Sequence, residues 1–233
     1  MVFRMSIWSR IAAALSALAT GEGLSTILDQ LRSTPNPERS VAFTIAVIAL
    51  GAKMAKADGT VTRNEVTAFR QVFAIPPADE AKAARVFNLA RQDVAGYDIY
   101  AAKIRAMFRD QDSDLLIDLM ESLFHIALAD GTYHPRENEF LMQVSTILGL
   151  DDRAFRQLRA RVVEGAPRDP YDVLGVTPNT PLEAIRAAWR HAVKTSHPDL
   201  MLARGVPPEA LKLAERRLQA VNEAWAAISQ RAA

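Results

Sequence analysis

Ile185-Arg186-Ala187-Ala188-Trp189-Arg190-His191-Ala192-Val193-Lys194-Thr195-Ser196-His197-Pro198-Asp199 is the stretch whose reading decides the fold. Ile185, Ala188, Trp189, Ala192 and Val193 recur at helical spacing and form one apolar face. Upstream, Thr180 can N-cap this helix, Pro181 suits its first position, and Glu183 can reach back as a capping-box partner. Pro198 disfavours helical geometry at the residue before it, so the helix should stop near Ser196. Arg186, Arg190 and Lys194, each four residues apart, build a positive ridge on the outer side. Downstream, Leu211, Ala214, Leu218, Val221, Trp225 and Ile228 trace a second apolar helical stripe. Two stripes joined by a loop should face each other, which leaves His197-Pro198-Asp199 in the loop of a helical hairpin.

These residues, together with Asp169-Pro170-Tyr171-Asp172-Val173-Leu174-Gly175-Val176 ahead of them, resemble the J-domain of the DnaJ family. The likeness covers roughly the last third of the chain. It implies that His197, Pro198 and Asp199 engage a DnaK-type heat-shock chaperone, with Arg186, Arg190, His191 and Lys194 supplying the basic docking face. Trp189 and Trp225 stand where tyrosines are more usual. Thr195, Ser196 and Leu200 replace residues that are often basic or aromatic, so the ridge is thinner than is typical of that family. A bland reading of Pro198 and Asp199 is turn formation alone, but turn chemistry does not require a histidine there. A Ser196–His197 catalytic dyad is disfavoured, because adjacent residues on an extended chain project to different sides.

Between Ser40 and Val163 the chain repeats itself. Met54-Ala55-Lys56-Ala57-Asp58-Gly59-Thr60-Val61 is echoed by Ile126-Ala127-Leu128-Ala129-Asp130-Gly131-Thr132-Tyr133. Glu65 follows Asp58 by seven residues, as Glu137 follows Asp130. In each copy an apolar helix ends at Asp-Gly, where glycine suits a left-handed cap, and a second helix begins within a turn. Thr62 with Glu65, and Pro135 with Glu137, mark the new helix starts. No alternating strand pattern occurs, so an all-α domain of roughly seven helices with internal pseudo-symmetry is expected. This region, about Val41 to Val163, resembles the TerB-like helical domain. In order along the chain, the two likenesses resemble DjlA-type members of the DnaJ family.

Asp58, Glu65, Asp130 and Glu137 are candidate ligands for a hard divalent cation if the two copies face each other. The competing reading gives all four to helix ends. His125 and His134 match no usual zinc spacing, so zinc is not expected.

The organisation expected is an N-terminal helical segment at 1–39, a TerB-like domain at 40–163, a linker at 164–168 and a J-domain at 169–233. The chain has 233 residues, no cysteine and a formal net charge of +1. This composition excludes disulfides and cysteine-ligated zinc modules, and nothing global points to nucleic acid. An apolar N-terminal stretch from Ile7 to Leu18 is interrupted by Glu22 and Asp29, short of the roughly 20 residues of a membrane span. Docking on the following domain is its expected role, ahead of a surface amphipathic anchor and of a span. The whole reads as an all-α, non-enzymatic, cytoplasmic co-chaperone without cofactor, with an unknown client held by the TerB-like domain. The alternatives are a TerB-like adaptor or metal-responsive scaffold with a degenerate J-domain, and a location on the cytoplasmic face of the inner membrane.

Overall fold

A computed structural model describes residues 5–16, 24–33, 39–58, 65–93, 95–108, 113–163 and 169–231. Among them are helices and no strands. The organising element is α3 (Arg39–Asp58), in which Val41, Ala42, Phe43 and every residue from Ile45 to Leu50 are at most 2% exposed. A helix apolar on all sides must be surrounded. It is packed by α1 (Ile7–Ser16), α2 (Leu24–Ser33), α4 (Glu65–Arg70), α5 (Glu80–Gln92), α6 (Tyr97–Met107), α7 (Ser113–Ala127) and α8 (Pro135–Leu148). The bundle closes with α9 (Asp152–Val162), which packs on α7 and is N-capped by Asp151 accepting from Ala154 N at 2.7 Å. From α3 to α9 there are seven α-helices among the described residues, matching the number expected from the apolar patterns.

The N-terminal stretch is part of this bundle. Ile7, Trp8, Ile11 and Leu15 are buried, and Trp8 meets Phe73 edge-on at 5.9 Å while its Nε1 donates to Ala74 O at 3.2 Å. Leu24, Ile27 and Leu28 bury the next helix, whose Ser25 N donates to Asp93 at 3.3 Å. No described helix is long and apolar enough to cross a membrane.

The C-terminal unit comprises α10 (Pro170–Leu174), α11 (Leu182–Thr195), α12 (Pro198–Arg204) and α13 (Lys212–Arg231). Asp169 caps α10 by accepting from Tyr171 N at 3.0 Å. The start of α11 differs from expectation by one residue. Pro181 is the N-cap, its carbonyl accepting from Ala184 and Ile185, while Thr180 Oγ1 accepts instead from Thr177 N at 3.1 Å.

A larger difference concerns α13. Only Val221, Ala224 and Ile228 join Val173, Leu174 and Ile185 in the core of this unit. Leu213 and Ala214, with Met201, Val206 and Ala210, belong to the core of the N-terminal bundle, and Leu211 packs against it. One apolar stripe on a 20-residue helix, roughly 30 Å long, thus serves two cores. The hairpin connection is itself structured and docked, through α12 and a 3₁₀ turn at Pro208–Ala210. Ala74 N donates to Glu209 O at 2.6 Å, and Ile7 N to Glu209 Oε1 at 2.9 Å. At Gly205, φ is +114° and a Cβ would sit 2.5 Å from Arg39 Cβ, so only glycine fits the seam. Linker residues 164–168 lie outside the described residues.

Replacing Trp8 by alanine should lower the unfolding free energy by about 3–5 kcal/mol, as expected for an enclosed aromatic. Urea denaturation of the full chain reads this directly. A loss below about 1 kcal/mol would mean that α1 contributes little to the core.

Candidate functional site

At the end of α11 the chain turns in the manner that Pro198 dictates. Ser196 closes the helix, and His197 adopts φ −65° and ψ 133° as N-cap of α12. Its Nδ1 accepts from Asp199 N at 3.2 Å. An imidazole nitrogen that accepts carries no proton, so the proton of the neutral ring sits on Nε2. The side chain is 60% exposed and that of Asp199 85% exposed, so the donor face of the ring and the carboxylate are both presented to solvent. Ser196, by contrast, is wholly buried and donates to Ala192 O at 2.6 Å. It does not pair with His197, and the turn holds no nucleophile–base arrangement.

Arg186, Arg190, His191 and Lys194 are all exposed along α11. Behind them Trp189 and Trp225 stack at 5.2 Å with their planes 15° apart, and Trp189 Nε1 donates to Asn222 at 3.0 Å. This brace fixes the helix against α13. Leu200 and Leu202 are also exposed, so the surface beyond the turn is apolar where the ridge ends.

The turn is held from below by residues that local patterns in the sequence did not single out. Arg204 Nη1 donates to Thr195 O at 2.9 Å, at the last residue of α11. The same guanidinium donates through Nε and Nη2 to Asp118 Oδ2 on α7, at 3.0 and 2.8 Å. Arg217 of α13 donates to Asp118 Oδ1 at 2.6 Å and to Glu121 Oε2 at 2.8 Å. Asp118, Glu121 and Arg217 are at most 4% exposed. Burial pushes the Asp118 carboxyl up, against the pull of Arg217 and Arg204. At Glu121 burial acts the same way, but Arg217 and Arg161 outweigh it and hold the carboxyl below its ordinary range. Burial likewise opposes the charge on Arg217, and the two carboxylates more than restore it. Two positions in the sequence do carry a signal. Asp118 lies three residues after Leu115 on an apolar helix face, and Arg217 lies between Ala214 and Val221 on another. A charge inside an apolar stripe points to a buried partner.

The four candidate metal ligands do not all come into view. Asp130 Oδ1 accepts from Thr132 N at 2.9 Å, beside Gly131 in the left-handed region, and Glu137 accepts from His134 N at 2.9 Å at the start of α8. Both serve helix ends. The side chains of Asp58 and Glu65 lie outside the described residues, and no group of three metal-ligating side chains occurs among the described ones. Tyr133 is half-buried between Phe124, 6.0 Å away, and the Arg159 guanidinium, 5.8 Å away. The corresponding Val61 is outside the described residues.

The family model described as tellurite resistance protein TerB matches residues 44–160, and that of the DnaJ domain matches residues 169–233. The chain is 28% identical over 215 residues to co-chaperone protein DjlA of Photobacterium profundum, covering 81% of this chain and 77% of the relative. It is 29% identical over 214 residues to co-chaperone protein DjlA of Coxiella burnetii, covering 83% and 78%. For the Escherichia coli K12 protein of the same description, identity is 23% over 267 residues, covering 97% and 98%. No solved structure matches the chain.

Asp118→Ala should cost about 3–5 kcal/mol in urea denaturation, because it leaves two guanidiniums facing an apolar gap. Asp114 lies 3.7 Å from Arg204 and is 51% exposed, so Asp114→Ala should cost less than about 1 kcal/mol. Equal losses in the two variants would contradict the cluster as described.

Proposed function

The chain belongs to the TerB family, whose model covers residues 44–160, and ends in a DnaJ domain, and from that premise we propose that it is a J-domain co-chaperone. It recruits a DnaK-type heat-shock chaperone and stimulates the ATPase of that partner. The observation that carries this reading is the capped, outward-facing His197, with its Nε2 unencumbered, at the end of a helix whose exposed side bears Arg186, Arg190, His191 and Lys194. His197, Pro198 and Asp199 form the contact that triggers the partner. The cationic face accelerates encounter with an acidic surface and sets orientation. The chain itself is a regulator rather than an enzyme, and it acts in the cytoplasm. Its TerB-like bundle holds the client.

The alternative, a TerB-like scaffold responding to a divalent cation, draws less support. Asp130 and Glu137 are already engaged at helix ends. The short ridge, with Leu200 exposed where it stops, is the feature that favours a weakened partner contact.

His197→Asn tests the proposal with little structural disturbance, because asparagine is among the best N-cap residues. Stability should stay within about 0.5 kcal/mol of the parent, as for other exposed substitutions. Stimulation of a cognate DnaK-type ATPase should vanish, since asparagine lacks the Nε2 donor. Charge reversal at Arg186 and Arg190 should weaken stimulation at low salt and flatten its salt dependence, because exposed charges are screened beyond about 8 Å. A parent chain that stimulates no cognate partner at low salt, or a fully active His197→Asn variant, would overturn the assignment.

A further inference from the structure

Beside the interdomain ion cluster, α7, α9 and α13 enclose a cleft of about 360 Å³. Its polar lining among the described residues is Gln71, His125, Arg161, Arg216 and Gln219, with no acidic side chain among them. Arg216 approaches His125 Nδ1 with Nη1 at 3.2 Å and donates through Nη2 to Gln71 Oε1 at 3.0 Å. A guanidinium can only donate, so His125 Nδ1 accepts and its proton lies on Nε2. Burial, reinforced by Arg216, Arg217 and Lys212 against the pull of Glu121, holds this imidazole neutral with a pKa of about 4. The resulting Nε2–H donor is buried without an acceptor. Arg161 is 9% exposed, and its Nε–H is likewise without one.

The charges around this cleft do not balance. Arg161, Arg204 and Arg217 share two enclosed carboxylates, Asp118 and Glu121, with Asp114 at the edge 3.7 Å from Arg204, and Arg216 adds a further cation beside His125. Both enclosed carboxylates are already hydrogen-bonded by Arg204 or Arg217. Among the described residues no carboxylate forms an ion pair with Arg161. Lys212 lies close enough to Arg216 that burial and this neighbour lower its pKa to about 8. Arg161 feels the Glu121 carboxylate but shares it with Arg217, which takes the hydrogen bond, and burial still lowers the Arg161 pKa to about 10. A desolvated guanidinium whose counter-charge is only shared is costly, and a bound anion would offset that cost. Donors lining one cleft from four separate chain segments suit a tetrahedral oxyanion better than a flat carboxylate, and guanidiniums match phosphate geometry.

We propose that this cleft binds a small phosphate anion, either free or as the phosphoryl end of a small metabolite, between the TerB-like bundle and the last helix of the J-domain. Because Arg161 and His125 come from one side and Arg216 from the other, the anion ties the two domains together. The inference stands on the domain junction alone and does not require the co-chaperone reading.

The test uses the full chain, titrated calorimetrically with inorganic phosphate, with glycerol phosphate and with acetate at constant ionic strength, and melted in each. Saturable one-to-one phosphate binding that raises the melting temperature is expected, with acetate far weaker. Arg216→Gln should weaken phosphate binding about tenfold or more, the change one lost charge-assisted bond produces. Arg161→Met should abolish binding, and because Glu121 keeps its hydrogen bond to Arg217 the variant should still melt cooperatively. If Arg161→Met fails to fold, Arg216→Gln alone decides. Arg85→Gln, exposed on α5 away from the cleft lining, should bind as the parent does. Tighter binding of glycerol phosphate would assign the phosphoryl end of a metabolite, and equal or weaker binding would assign free phosphate. Absence of saturable binding, a matching effect of acetate, or parental affinity in Arg216→Gln would overturn the proposal.

Discussion

Asp118 sits wholly enclosed between Arg204 and Arg217, with Glu121 one helical turn away sharing Arg217. Neither carboxylate could be buried in α7 without those arginines, and both arginines arrive from the C-terminal unit. A buried ion pair gains little over an apolar pair of the same size, but losing one partner is expensive. Such a cluster therefore acts mainly on register. Apolar contact of Met201, Val206, Ala210, Leu213 and Ala214 with the bundle supplies affinity, while the charges specify one docked arrangement among the many that apolar surfaces allow.

This arrangement reaches the turn at His197 through a short path. Arg204 grips Asp118 with one side of its guanidinium and the carbonyl of Thr195 with the other, two residues before His197. Met201 of α12 is fully buried in the bundle core, while Asp199, two residues earlier, is 85% exposed. The exposed tip is thus mounted on a rigid base. His197 is therefore held at a fixed angle to the TerB-like bundle.

Much of this was legible in the sequence, and the failures have physical reasons. The apolar spacing of Ile185, Trp189 and Val193 located α11, and Pro198 located its end, because both are local effects. The repeat around Asp130-Gly131 located a left-handed cap and a helix start for the same reason. The apolar stripe on α13 predicts a face turned to α11, yet its first turns enter a different core, because periodicity gives a face but not the neighbour that covers it. Asp118 and Arg217 are 99 residues apart in sequence. Their positions within apolar stripes signalled burial, but pairing over that separation depends on the tertiary fold. The same limit kept the cleft at Arg161 out of view, since its lining comes from segments spread between Gln71 and Ala220.

The cluster at Asp118 makes the two domains one rigid unit. The chain has no cysteine, so spin labels can be placed uniquely at Met142→Cys on α8 and Ala187→Cys on α11, both exposed. Double electron–electron resonance should then give a single narrow distance distribution in the full chain, and a broadened one when Asp118→Ala is added. A broad distribution in the otherwise unaltered chain, unaffected by Asp118→Ala, would show two independently moving domains.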